Sequence, residues 1–185
     1  MRLTKFLSNS KEVLASLPES ERSPSATLCI DVGDERMERA LGVIWETTKD
    51  IFTFSIKIKE VKLTKRGILV ITCTLFDPLG FLAPFVLKAK VLLQELWKAG
   101  FDWDADINEE HKHYWERWIA GAKKVSSIRF NRQYLVGGQF NEVQLHILCD
   151  ASEIAYGSVA YLRFTLKDGK HFCSLVMSKS RLAPI

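Results

Sequence analysis

An α+β fold is predicted for this chain, with a helical middle set between an N-terminal β-hairpin and a C-terminal group of three strands. Three observations carry that prediction. Residues 51–59 alternate strictly, with Phe52, Phe54, Ile56 and Ile58 on one face, which is the period of a half-buried strand. After Thr64 the apolar spacing changes to that of amphipathic helices. Near the C-terminus, Asp168-Gly169 separates two apolar runs, the strongest short-range hairpin signal.

Each element has its own local reason. Asn9-Ser10-Lys11-Glu12 has capping-box spacing ahead of Val13, Leu14 and Leu17, and it starts a short helix that Pro18 ends. Residues 19–38 are polar and read as loop. Arg39–Trp45 reads as a strand that turns at Glu46–Asp50 into the alternating run, forming a hairpin. Thr64 caps a helix carrying Ile68, Leu69, Ile71, Cys73, Leu75 and Phe76. Asp77-Pro78-Leu79-Gly80 stops it, because proline disfavours helical geometry in the residue before it. A second helix is predicted over Phe85–Ala99, with Gly100 where a C-terminal cap belongs. A third starts at Asp106-Ile107-Asn108-Glu109, again with capping-box spacing, and carries Tyr114, Trp115, Trp118, Ile119 and Ala122. Val143–Cys149 is apolar on both faces apart from Gln144 and His146, which predicts a strand with neighbours on either side. Tyr156–Leu166 and His171–Met177 complete the group.

The chain has 185 residues, 47% of them hydrophobic and 26% charged, which is ordinary globular usage. No stretch of about 18 uncharged apolar residues occurs, and the N-terminus lacks the apolar run of a secretory signal. Neither a membrane partner nor secretion is therefore expected, and the expected location is intracellular. Cys29, Cys73, Cys149 and Cys173 form no Cys-x-x-Cys pair, so they are expected to be buried thiols in a reducing compartment rather than zinc ligands or disulfides. The excess of 26 Lys and Arg over 22 Asp and Glu is spread along the chain, so composition permits a nucleic-acid partner without arguing for one.

Asp150 is the most informative position for chemistry. It directly follows the Val143–Cys149 run, so it sits at the end of a strand, where open sheets commonly bind ligands. One carboxylate is not a phosphoryl-transfer site, since a hard divalent cation takes several oxygen ligands. Capping a strand or starting a turn is the alternative role. His111 and His113 would point about 200° apart on a helix, and His146 and His171 lack a partner at ligand spacing, so no metal is assigned to them. Trp97, Phe101, Trp103, Tyr114, Trp115 and Trp118 could stack on single-stranded nucleic acid, but their helical spacing favours packing between helices. Lys65 and Arg66 at a helix start, with Lys88 and Lys90, are the candidate phosphate contacts. The alternative is a set of solvated surface charges. There is no Asp-Ser/Thr-Gly, Gly-x-Ser-x-Gly, phosphate-binding glycine loop or His-Glu-x-x-His, so no self-contained active site is legible.

Several strings taken together resemble a known family. They are Leu41-Gly42-Val43-Ile44-Trp45, Thr64-Lys65-Arg66-Gly67, Phe76-Asp77-Pro78-Leu79-Gly80, Ala83-Pro84, Leu92-Leu93-Gln94-Glu95-Leu96-Trp97 and Trp103-Asp104. Cys149-Asp150-Ala151-Ser152, Ala155-Tyr156-Gly157 and Ser178-Lys179-Ser180-Arg181-Leu182-Ala183-Pro184 continue the order. In this order the chain resembles the pol polyprotein of BEL/Pao long-terminal-repeat retrotransposons, in a region also labelled Pao retrotransposon peptidase. The resemblance implies three parts. Residues 1–60 would be the end of a reverse-transcriptase palm with its β-hairpin, and residues 61–140 a helical thumb or connection of about three helices. Residues 141–185 would be the first three strands of a ribonuclease H-like domain, a truncated antiparallel meander.

The same resemblance implies that Asp150 is the first catalytic, metal-binding aspartate, with its partner carboxylates lying outside these residues. The Leu41–Trp45 hairpin would grip the primer strand. It further implies Mg²⁺ in the full-length parent, and an RNA–DNA hybrid or DNA duplex as partner together with the remainder of the polyprotein. The fragment itself is expected to be inactive alone. A non-catalytic host-encoded remnant is the alternative. An aspartic peptidase, which the family label suggests, is disfavoured by the missing Asp-Ser/Thr-Gly.

Overall fold

In the computed structural model, the residues described are 3–23, 37–40, 43–56, 58, 60–135 and 137–185. Helix α1 (Lys11–Ser16) begins where expected, with the Ser10 side chain accepting from the Val13 N–H. The helical middle consists of α2 (Lys65–Cys73), α3 (Ala83–Lys98) and α4 (Glu109–Ala122). Thr64 caps α2 by accepting from the Gly67 N–H. Pro84 lies in the first turn of α3, where its missing N–H costs nothing. The cap of α4 differs from the expectation. Asn108, not Asp106, is the N-cap, accepting from the His111 N–H, while Asp106 forms an isolated bridge with Thr64. Both residue types cap well, and the pairing with Thr64 draws the Asp106 backbone out of the helix.

Apolar faces of the three helices meet in one core. Ile68 and Ile71 of α2 pack with Ala89, Leu92 and Leu96 of α3 and Trp115, Trp118 and Ala122 of α4. Trp118 stacks between Phe85 and Trp115, with ring centroids 4.7 and 4.8 Å away, and its indole N–H donates to the Phe85 carbonyl at 3.0 Å. Packing between helices thus accounts for Trp115 and Trp118, as their spacing predicted.

The N-terminal strands depart from the predicted hairpin in three ways. The Arg39–Trp45 run is not one strand: β1 (Met37–Ala40) and β2 (Val43–Glu46) pair antiparallel, Ala40 opposite Val43. Part of the polar 19–38 stretch therefore enters the sheet. Strand β3 (Ile51–Thr53) pairs with β2, as the turn at Glu46–Asp50 requires, but it stops after three residues. Phe54 leaves the ladder and is buried with Val43, Leu75, Leu82 and Val125, so packing, not cross-strand pairing, uses the rest of the alternation. On the far side of β3 lies β4 (Phe130–Asn131), which the sequence did not signal. Phe130 stacks on Phe81 at 4.4 Å, tying this sheet to the α2–α3 connection. Of the Leu41–Trp45 string, Leu41 and Gly42 lie outside the described residues.

The C-terminal strands are long. Strands β5 (Phe140–Ala151), β6 (Ala155–Leu166) and β7 (His171–Leu182) form an antiparallel meander in the order β5-β6-β7. The β6–β7 turn is the expected Asp168-Gly169 turn, where Gly169 N–H donates to the Leu166 carbonyl at 3.0 Å. Strand β5 was expected to have neighbours on both sides. It is instead an edge strand among the described residues, and Leu145 and Ile147 are 60% and 65% exposed. The cysteines also differ from expectation, since Cys73, Cys149 and Cys173 are free and exposed. Cys29 lies outside the described residues. No described helix is long and apolar enough to cross a membrane.

Candidate functional site

Asp150 stands one residue from the end of β5, opposite Gly157 of β6. The turn that follows is locked by Ser152. Its N–H donates to the Ala155 carbonyl at 2.8 Å, and its hydroxyl accepts from the Ile154 and Ala155 N–H groups. Asp150 is exposed, and one carboxylate oxygen accepts from the Ala151 N–H at 2.9 Å. The second oxygen is left to solvent or a ligand, which is the arrangement a metal-binding carboxylate needs.

The sheet reaches the helices through β7. The loop Asp77–Gly80 lies against Ser178, whose N–H donates to the Leu79 carbonyl at 2.8 Å and whose hydroxyl donates to the Gly80 carbonyl. Farther along, the Gln94 side chain of α3 donates to the Ala183 carbonyl at 2.8 Å. The face of the meander that carries Ser178 therefore looks towards α3. Strand alternation puts Asp150, Gly157 and Ser180 on that face, in register. An open cleft of about 570 Å³ lies there, walled by Pro84 and Leu87 on one side and Leu148, Asp150 and Val159 on the other.

A divalent cation requires more than this. Among the described residues no three His, Cys, Asp or Glu side chains are grouped to hold a metal. Glu153 is an exposed residue of the turn, and Asp168 is at the opposite end of the sheet, paired with Lys170. His111 is taken up at the start of α4, its ring 2.6 Å from the Asn108 side-chain oxygen, and the His146 ring is 3.2 Å from the Gln144 side-chain oxygen. Asp150 thus offers one ligand, and the described residues do not fit a complete Mg²⁺ centre.

The four candidate phosphate contacts are not brought together. Lys65 is only 5% exposed. Its ammonium donates to the Phe101 carbonyl at 2.5 Å and lies over the rings of Trp97 and Trp103, at 4.5 and 4.8 Å. Arg66 is exposed, but its guanidinium makes a two-pronged pair with Asp104, at 2.7 and 3.0 Å. Those hydrogen bonds raise the pKa of Arg66 and lower that of Asp104. Lys88 and Lys90 are exposed on α3, and Lys90 lines a groove with Met177 and Ser178 of β7.

Two further cations, outside the four candidate phosphate contacts, lie nearer to Asp150. Lys179 and Arg181 are exposed on β7, opposite Ser158 and Tyr156 of β6. Those two residues in turn stand opposite Cys149 and Ala151. The signal was present in the sequence as two cations separated by one residue within a strand, which puts both on one face.

The profile of the Pao retrotransposon-like RNaseH-like domain matches residues 64–185, a range that takes in α2, α3, α4 and the whole meander. Neither the curated proteins nor the solved structures contain a match to the chain.

Proposed function

Since the chain belongs to the Pao retrotransposon-like RNaseH-like family, we propose that it is a segment of a retroelement pol polyprotein that handles an RNA–DNA hybrid. In this reading Asp150 supplies the first carboxylate of a Mg²⁺ centre completed by residues other than those described. The observation that carries it is the position of Asp150: a free carboxylate at the end of the first strand of an antiparallel meander, inside the matched range. Residues 1–60 would then be the end of a reverse-transcriptase palm and residues 61–140 its thumb or connection, reading the duplex through its backbone. The metal, when bound, would activate water for attack on a phosphodiester. What this chain's own residues contribute is one ligand and a surface that orients nucleic acid.

The test is direct. A fluorescently labelled RNA–DNA hybrid is titrated with the purified 185-residue chain at low salt, and RNA cleavage is followed with added Mg²⁺. Binding without cleavage is expected. No binding at any salt concentration would remove the duplex-handling role. Mg²⁺-dependent cleavage that disappears in Asp150→Asn would show that the chain completes the centre by itself.

A further inference from the structure

We propose that Lys179 and Arg181 form a phosphate-binding strip that grips the backbone of a nucleic acid on the face of the meander turned away from α3. The proposal rests on the hybrid-handling reading and names the surface that carries it.

Within the meander, Lys179 and Arg181 are set apart from the other cations by their lack of partners. Five cations lie on the last 43 residues, Arg163, Lys167, Lys170, Lys179 and Arg181. Three are engaged: Arg163 donates to Gln144, Lys167 to Gln139, and Lys170 pairs with Asp168. Among the described residues no ion pair or side-chain hydrogen bond involves Lys179 or Arg181. Two neighbouring cations with no counter-charge beside them raise the local positive potential, which attracts an anion.

Their placement suits a polymer of phosphates rather than a single one. Two residues apart on one strand, their Cα atoms are separated by about 6.8 Å, so the two long side chains can reach successive phosphodiesters along one backbone. The cross-strand register sets Ser158 beside Lys179 and Tyr156 beside Arg181, adding two hydroxyls of the kind that donate to phosphate oxygens. Together with Cys149 these residues line an open depression of about 610 Å³, and Asp150 lies on its rim. Asp150 also borders the cleft on the α3 side. The strip therefore holds nucleic acid beside the carboxylate and acts as a positioning site.

The experiment compares charge removal at two ends of one sheet. Hybrid binding is measured by anisotropy without divalent cation, across a salt series, for the wild-type chain, Lys179→Gln/Arg181→Gln and Lys167→Gln/Lys170→Gln. Both doubles remove two charges from exposed positions. The strip variant is expected to lose about tenfold in affinity and to flatten the log K against log salt slope by about two, while the control changes less than about twofold. The swap Lys179→Arg/Arg181→Lys should bind like wild type, which separates loss of charge from loss of folding. Equal losses in the two doubles, with wild-type binding intact, would overturn the strip and leave the hybrid-handling reading standing. No binding by the wild-type chain would overturn both. Competition by polyglutamate as effective as that by unlabelled hybrid would also overturn the strip, in favour of an acidic polypeptide partner.

Discussion

A side-chain carbon placed on Gly80 would lie 1.9 Å from the carbonyl oxygen of Ser178. The two residues are 98 positions apart, and they join the α2–α3 loop to β7 through the Ser178 hydroxyl and the Gly80 carbonyl. Asp77 holds the loop in shape by accepting from the Phe81 and Leu82 N–H groups at 3.0 and 2.6 Å. Burial pushes the Asp77 carboxyl above its ordinary pKa despite those bonds. The position of the Asp150 sheet relative to the helical core depends on this contact.

Gly80→Ala should therefore cost far more than an alanine at another left-handed glycine. Gly80 and Gly100 have nearly equal φ, +75° and +74°, but nothing lies within 4 Å of a carbon added at Gly100. Gly100→Ala is expected to destabilise by about 1–2 kcal/mol from backbone strain alone. Gly80→Ala adds a clash with rigid backbone and should exceed that by at least about 1 kcal/mol. Urea midpoints of the two variants measure the difference, and equal shifts would mean that β7 does not seat on the loop as described.

Asp50 ties the β2–β3 turn to β4, and it does so against a backbone penalty, with φ +54° at a non-glycine residue. Its carboxylate accepts from the Trp45 indole at 2.9 Å and from the Arg132 guanidinium through both oxygens. Burial acts to raise its pKa, but the hydrogen bonds from Arg132 and Trp45 outweigh it and hold the group below its ordinary value. A depressed carboxylate stabilises the fold above its unfolded pKa, and that contribution is lost as pH falls through the folded one. Asp50→Asn should cost about 1–3 kcal/mol near neutral pH. The gap between wild type and variant should be flat above about pH 5 and close as the pH drops below 4. Denaturant melts at a series of pH values check this, and a gap that widened in acid would contradict it.

Lys65 should behave as a core residue despite its charge. Lys65→Met keeps the length of the side chain but removes the hydrogen bond to Phe101 and the cation between Trp97 and Trp103. Stability should fall by about 1–3 kcal/mol, and the emission of the two exposed indoles should change. Hybrid affinity and its salt slope should stay within about twofold of wild type, because a buried ammonium releases no counterion from a phosphate. A reduced salt slope in Lys65→Met would return this lysine to the phosphate-contacting set.

Signals that act over a few residues were legible in the sequence: Thr64 as the cap of α2, Pro84 in the first turn of α3, the Asp168-Gly169 turn, and Asp150 at the end of its strand. Each depends on backbone hydrogen bonds and dihedral preferences that neighbours in the chain satisfy. Tertiary structure decided what joined distant residues. It split Arg39–Trp45 between two strands and brought Phe130 to Phe81. It chose Asn108 over Asp106 as a cap, and it buried Lys65 while leaving Lys179 and Arg181 unpaired. Those outcomes depend on which surfaces lose water and which charges find a counterpart across the fold. Such choices are set by contacts made through space, and spacing along the chain does not encode them.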